Sequence, residues 1–298
     1  MPIRGGDCEL LQRRKILRKV SIVDFHGFAW HEACVMDSAA VLRLLLLLSE
    51  YLAYKWATYV IAASKWLSKA LSGYFGTREV FVIENAITPI FERVVSRLKQ
   101  YDTKLLRRYI YYKLRLDHNH VTSTLLVAPL PPVFESNVLA YKVLLDLARK
   151  LPSNVLIIVT GLRHKVTKTQ SPVICAGYLK YPEYVALLLS ADAVILTYPS
   201  SAICGGVRNK VLEAGYCMKP IISTRVGMLH LPVRPNLHYI PLETLQRESM
   251  VSVRVPGKYR CITIKLHELI LHRYSFAIFR ESVLRIFLKI LKSFLLAK

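Results

Sequence analysis

The stretch GGVRNKVLEAGYCMKPIISTRVG, residues 205–227, decides how this chain is read. Two adjacent glycines open a segment of helical character, a glutamate lies inside it, and the apolar run PIIST follows a Met-Lys turn. Just upstream, DAVILTYP (192–199) is a continuous apolar run of strand length, so the order is strand, small-residue loop, helix, strand. Bare glycine lets backbone N–H groups approach an anion closely, and the start of a helix favours negative charge. Gly206, Lys210 and Glu213 follow at spacings of four and three, which places them on one helical face. A cation for a diphosphate and a carboxylate for ribose hydroxyls would suit a nucleotide. The same pattern fits a glycine turn followed by a Lys–Glu ion pair on a solvated face, and the local motif does not choose between them. Arg208 falls off that face by spacing, but stands near enough to the helix start to reach a phosphate.

Working outward, strands and helices alternate along most of the chain. KVSIVDF (19–25), TYVIAAS (58–64), EVFVIEN (79–85), STLLVAP (123–129), NVLIIVTG (154–161) and PVICAG (172–177) read as strands. Between them lie a Leu-rich helix ending near Ala57 and a helix in SKWLSKALSGYFG, with Ser64 as its cap and Gly76 as its stop. ESNVLAYKVLLDLARKLP (135–152) and YPEYVALLLSA (181–191) read as further helices. The strands are apolar throughout rather than alternating, as in parallel sheets covered on both faces. Alternation of this kind predicts doubly wound α/β architecture. The basic, Tyr-rich stretch from Arg93 to His120 breaks the pattern and is taken as the domain junction. The expected division is 1–120, 121–260 and a helical tail over 261–298.

Composition narrows the partners. The 298 residues carry 42 Lys and Arg against 20 acids, a formal charge of +22, which points to nucleic acid, a phospholipid surface or phosphorylated substrates. An apolar fraction of 53% with mean hydropathy +0.31 excludes a disordered chain. The six cysteines form no CxxC pair and read as reduced thiols, so a cytoplasmic setting is expected. MPIRGGDCELLQRRK lacks the apolar core of a signal peptide, and Arg43, Glu50 and Lys55 interrupt the apolar run at 41–64, arguing against a membrane span.

Several blocks together resemble the group 1 (family 4-like) retaining glycosyltransferases, which have the GT-B fold of two Rossmann-like domains. MKPIISTRVG is similar to that family's turn and strand, and VSIVDFHGFAWHE to its Asp-x-His-Gly strand end with a later Glu. YVIAASKWLSKALSGYFG and VFVIENAITPIF, with Asn85 at the family's asparagine, resemble further blocks in the same order. The likeness runs from about Val20 to Gly227. It implies transfer of a sugar, with retention, from a nucleoside-diphosphate sugar to an acceptor, without an obligatory metal or other cofactor. Glu213 would then hold the donor ribose, with Gly205, Gly206, Arg208 and Lys210 on the donor side. His26 would line the sugar site as the catalytic candidate, with Asp24, Gly27 and Glu32 towards the acceptor. The sequence departs from the family in three places. Gly205 stands where the family has a first glutamate, and the loop APLPPVFESNV lacks the Arg and Lys that grip the diphosphate. Only about 20 residues precede the Asp-x-His-Gly strand, so the first domain is expected to be incomplete at its amino end.

Other readings stay open. His26 also fits an ordinary turn histidine, and Glu32 a solvated loop acid. No HExxH, GxSxG or Walker spacing occurs, so no metal site, serine nucleophile or P-loop is expected. In the tail, Arg285, Lys289 and Lys292 make a basic stripe beside apolar faces, which fits a peripheral helix on the inner membrane face with a lipid-linked acceptor, or a core helix crossing back onto the first domain. RLKQYDTKLLRRYIYYKLR (97–115) interleaves cations and tyrosines, but no nucleic-acid-binding motif accompanies it, so nucleic acid is not the expected partner. The alternatives to an enzyme are a non-catalytic sugar-nucleotide-binding fragment or subunit that needs a partner, and a basic nucleic-acid-binding protein.

Overall fold

The structure, a computed structural model, describes residues 20–35, 38–116, 123–131, 135–161, 172–202, 204–244, 253 and 257–296. The chain forms two compact units, one of residues 1–83 with 286–298 and one of residues 84–285. The opening segment to Lys19, most of the LDHNH turn, the middle of the loop after Pro131, the GLRHKVTKT loop beyond Gly161, and Lys298 lie outside the described residues.

The first unit is built on a parallel sheet in the order β1 (Ile22–Phe25), β2 (Tyr59–Ala62), β3 (Val80–Val82). Helices α1 (Ala29–Val35) and α2 (Ala40–Trp56) connect β1 to β2, and α3 (Lys65–Phe75) connects β2 to β3. Ser64 caps α3 by accepting from the Leu67 amide, and Gly76 ends it at φ 97°, as the sequence indicated. The last turn of α2 leaves carbonyls without helical partners, and Arg78 answers them. Its guanidinium donates to the carbonyls of Tyr54, Ala57 and Thr58. Phe25, Phe28, Tyr54, Val60, Leu67, Leu71 and Phe75 make the small core.

The second unit carries a six-stranded sheet, all neighbours parallel: β4 (Thr124–Pro129), β5 (Val155–Thr160), β6 (Val173–Gly177), β7 (Ala193–Leu196), β8 (Ile221–Ser223) and β9 (Ile240–Pro241). The order β6-β5-β4-β7-β8-β9 is the Rossmann order 3-2-1-4-5-6. Every residue of β4, β5, β7 and β8 is buried, as continuous apolar runs require. Helices α4 (Pro89–Leu98), α5 (Thr103–Lys113), α6 (Glu135–Ala148), α7 (Tyr181–Ser190), α8 (Asn209–Tyr216) and α9 (Arg260–Tyr274) complete this unit, and α10 (Phe276–Leu296) begins in it.

The structure divides the chain elsewhere than the sequence suggested. The basic stretch expected to be a junction is instead part of the second unit, where α4 and α5 both pack on α7. The reason is Arg107: its guanidinium is buried, donates to the Ser190 carbonyl at 2.6 Å and pairs with Asp192 at 2.9 Å. Lys113 adds a 3.3 Å pair with Glu183. The tail expected over 261–298 is likewise two helices broken at Ser275, whose backbone is extended. Leu266, Ile270 and Tyr274 of α9 belong to the second core, packed on α8. The end of α10 belongs to the first unit, where Lys289 pairs with Glu79 over the Phe81 ring.

At the end of β5, Gly161 has φ +92°, and a Cβ there would stand 2.4 Å from the Pro131 Cα. Gly161→Ala therefore meets both a left-handed backbone penalty and an immovable main chain. It is expected to cost at least about 2 kcal/mol in urea unfolding; a loss under half of that would show that the Pro131 segment yields.

Candidate functional site

In an open α/β sheet, ligands sit beyond the carboxyl ends of the strands where the strand order reverses. Here that point lies between β4 and β7. A cavity of about 290 Å³ opens there, with Pro129, Thr160 and Gly161 at the strand ends forming one wall. Tyr178, Tyr181 and Tyr184 line it from the β6–α7 side, and Asn209, Lys210 and Glu213 from α8.

Glu213 and Lys210 thus share the cavity, as the spacing indicated, but without a direct ion pair. The Tyr184 hydroxyl donates to Glu213 Oε2 at 2.8 Å. Burial pushes the Glu213 carboxyl up to about 7, against the smaller opposing effects of Tyr184 and Lys210. Lys210 is pushed down to about 7, first by burial and then by Arg208, with Glu213 opposing. Its ammonium is directed at three acceptors: the Pro129 carbonyl (2.6 Å), Asn137 Oδ1 (2.9 Å) and the Tyr198 hydroxyl (2.5 Å). The Tyr198 hydroxyl in turn donates to Asn137 Oδ1 at 2.6 Å, and Asn137 Nδ2 donates to the Pro131 carbonyl at 2.6 Å. One knot therefore joins the end of β4, α6, the end of β7 and α8.

The glycine loop is placed differently from its reading as the opening of the helix. The helix begins at Asn209, because Arg208 is extended at ψ 119° and serves as its N-cap, so Gly206 is not on the Lys210–Glu213 face. Gly205, Gly206 and Arg208 are buried in the loop and do not line the cavity. The Arg208 guanidinium lies 3.6 Å from the Tyr198 ring centroid and donates to the Ala202 carbonyl at 2.6 Å. Asn85 donates to the Val207 carbonyl at 2.8 Å, which fixes the same loop from the segment after β3.

In the first unit, His26 follows β1 on an exposed turn with Nε2 3.1 Å from Asp24 Oδ2, and Gly27 comes next. Glu32 stands on α1 near Glu50, and both carboxyls are pushed up, chiefly by burial. Glu50 accepts from the Ala29 amide at 2.6 Å. Among the described residues no group of three His, Cys, Asp or Glu is gathered as a metal would need. Sequence reasoning missed Asn137, Tyr198 and Tyr184. Only position could have flagged the first two, since Tyr198 closely follows β7 and Asn137 lies in the first turn of α6 at the switch point.

No protein-family model and no curated protein matches this sequence. Solved structures do match. HepE from Anabaena in complex with UDP-glucose aligns at TM-score 0.63 and 15% identity, over 94% of this chain and 76% of that one. Sucrose-phosphate synthase from Thermosynechococcus elongatus aligns at 0.62 and 12%, over 95% and 72%. TarM from S. aureus aligns at 0.57 and 13%, over 93% and 54%. The fold is of the GT-B glycosyltransferase type. At these identities the likeness establishes the fold and no more.

The raised Glu213 pKa has a stability consequence. A carboxyl that titrates near 7 when folded and near 4.5 otherwise contributes stability below about pH 4.5 that is lost as pH rises to 7. Lys210, depressed from 10.5 to about 7, acts oppositely: its contribution is present above 10.5 and lost as pH falls to 7. Between pH 5 and 7, Glu213→Gln should flatten the decline relative to wild type by on the order of 1–2 kcal/mol, read from urea unfolding at each pH. Parallel curves would mean that Glu213 titrates normally.

Proposed function

We propose that this chain is a retaining glycosyltransferase of the hexosyl-transferring kind that takes a nucleoside-diphosphate sugar as donor. The observation that carries this reading is the crevice at the sheet's switch point, where a carboxylate and the start of α8 meet beside three tyrosines. Glu213 would accept from the ribose hydroxyls, and the first amides of α8 would face the phosphates. Tyr178 and Tyr181, both exposed at the rim, offer ring faces to the base. Gly205 and Gly206, buried behind the cavity, would shape the loop that leads into α8 on the donor side, and Arg208 would add positive charge from within that loop. Complexes of a structural neighbour support the donor class: HepE binds UDP and UDP-glucose.

In this reading His26 lines the sugar site with Asp24 orienting its ring, and Gly27 and Glu32 lie towards the acceptor. Departure of the nucleotide would leave an oxocarbenium-like anomeric carbon, and fixed N–H groups would stabilise the charge on the leaving phosphate. Transfer would proceed without an obligatory metal. The acceptor would be lipid-linked, on the cytoplasmic face of the inner membrane. A second reading, donor binding without turnover, is favoured by one observation: the Lys210 ammonium and the Arg208 guanidinium both donate to protein acceptors.

Calorimetry with UDP and GDP is the first test. One of them should bind, and Glu213→Ala should weaken it roughly 10- to 100-fold, the loss of one charge-assisted hydrogen bond of about 1.5–3 kcal/mol. Binding of neither nucleotide, or equal binding by the variant, would remove the ribose role. A radiolabelled sugar-nucleotide screen against membrane lipid extract, with and without EDTA, then separates the two readings. Turnover that disappears in His26→Ala supports the enzyme; binding without turnover supports the non-catalytic reading.

A further inference from the structure

The first unit exposes an apolar face that its own fold does not cover. On α2, Val41, Leu45, Leu48 and Leu52 follow at spacings of four, three and four, so they form one stripe, with Leu44 and Tyr51 beside it. Val41 is 69% exposed, Leu45 58% and Leu48 46%, while the opposite side of the helix buries Tyr54 in the core. The bare apolar area is on the order of 500 Å², the upper range of what a soluble monomer leaves uncovered.

Helix α3 extends this face. The crossovers β1–β2 and β2–β3 step in the same direction across a parallel sheet, so right-handed connections put α2 and α3 on one side of it. The two helices touch. On α3, Lys65, Trp66 and Lys69 are exposed within one sector, and Trp56 and Lys55 are exposed at the end of α2. The only carboxylate on either helix, Glu50, is turned inward onto the Ala29 amide. The face is therefore leucines bordered by tryptophan and lysine, with no acid pointing outward.

We infer that the α2–α3 face docks this protein on a bilayer containing anionic lipid. With 17 residues interrupted by Arg43, Glu50 and Lys55, α2 is too short and too charged to span, and no described helix qualifies as a span. A helix of this kind lies flat, its leucines below the headgroups and its aromatic and lysine border at their level. Charge selects this occupant over a second copy of the chain. Two copies meeting face to face would bring Lys55, Lys65 and Lys69 against like charge, whereas anionic headgroups neutralise them.

The test is vesicle flotation with the full chain, using phosphatidylcholine alone or mixed with phosphatidylglycerol, together with analytical ultracentrifugation. Wild type should float with the mixed vesicles and remain behind with neutral ones. The double variant Leu45→Glu, Leu48→Glu should reduce recovery by about tenfold or more, with an unchanged thermal melt because both sites are exposed. The triple variant Lys55→Gln, Lys65→Gln, Lys69→Gln should lose the preference for anionic vesicles and reads the surface independently, should the glutamates disturb folding. Three outcomes would each overturn the inference: full flotation of the leucine variant, equal recovery with neutral vesicles, or a wild-type dimer that fails to float and dissociates when Leu45 and Leu48 are replaced.

Discussion

One ammonium group holds the crevice of the second unit in shape. Lys210 reaches from α8 to the last residue of β4, to the first turn of α6 and to the hydroxyl that follows β7. These are the elements that diverge at the switch point, so the bond closes the gap that the strand order itself opens. A buried lysine is costly unless its donors are met, and here three acceptors meet them. Removing the cation would take the donor from the Pro129 carbonyl and leave Asn137 Oδ1 with the Tyr198 hydroxyl as its remaining partner in the knot, so the knot is worth more as a unit than any one of its bonds. The same geometry assigns the charges. With Lys210 directed at the protein, the group that faces the cavity with titratable chemistry is Glu213, held by Tyr184.

The two sheets differ in the way their sequences require. In the second unit, four strands are wholly buried and a helix covers each face, which gives the crevice rigid walls. In the first, β1 buries only Phe25 fully and β3 no residue fully, and the core is small. A three-stranded parallel sheet cannot fully cover helices as long as α2, so leucines that would pack inward in a larger layer remain at the surface. The uncovered helix face and the shallow sheet are one fact seen from two sides.

Much of this was legible in the sequence because it depends on local rules. Apolar runs without alternation give buried parallel strands, Ser64 and Gly76 bracket α3, and GGVRNKVLE places a carboxylate near a helix start below a strand end. The division of the chain was not legible. Arg107 sits in a stretch that reads as a solvated basic linker, and only the tertiary fold turns it onto Ser190 and Asp192, 83 or more residues away. The helix start was misplaced for a similar reason: spacing puts Gly206 on the face of Lys210, while Arg208, extended over Tyr198, delays the helix to Asn209. The turn MKP was recognisable, yet Met218 adopts φ 55° where glycine would be unstrained.

The loop between β7 and α8 shows why a glycine pair alone could not identify the site. A carbonyl oxygen repels an anion, so a loop that is to receive one must turn its carbonyls elsewhere. Here the Ala202 carbonyl accepts from Arg208, that of Cys204 bonds the His230 ring at 2.5 Å, and that of Val207 accepts from Asn85. The Gly206 carbonyl accepts from the Cys204 thiol at 3.2 Å, and the Arg208 carbonyl takes the first amide bonds of α8. The donors come from the segment after β3, from the loop itself and from the segment after β8, and each fixes the orientation of one peptide. The glycines make a tight path possible, but these distant donors decide which way its peptides point. Whatever affinity the start of α8 has for a negative charge is therefore set as much by Asn85, Arg208 and His230 as by Gly205 and Gly206.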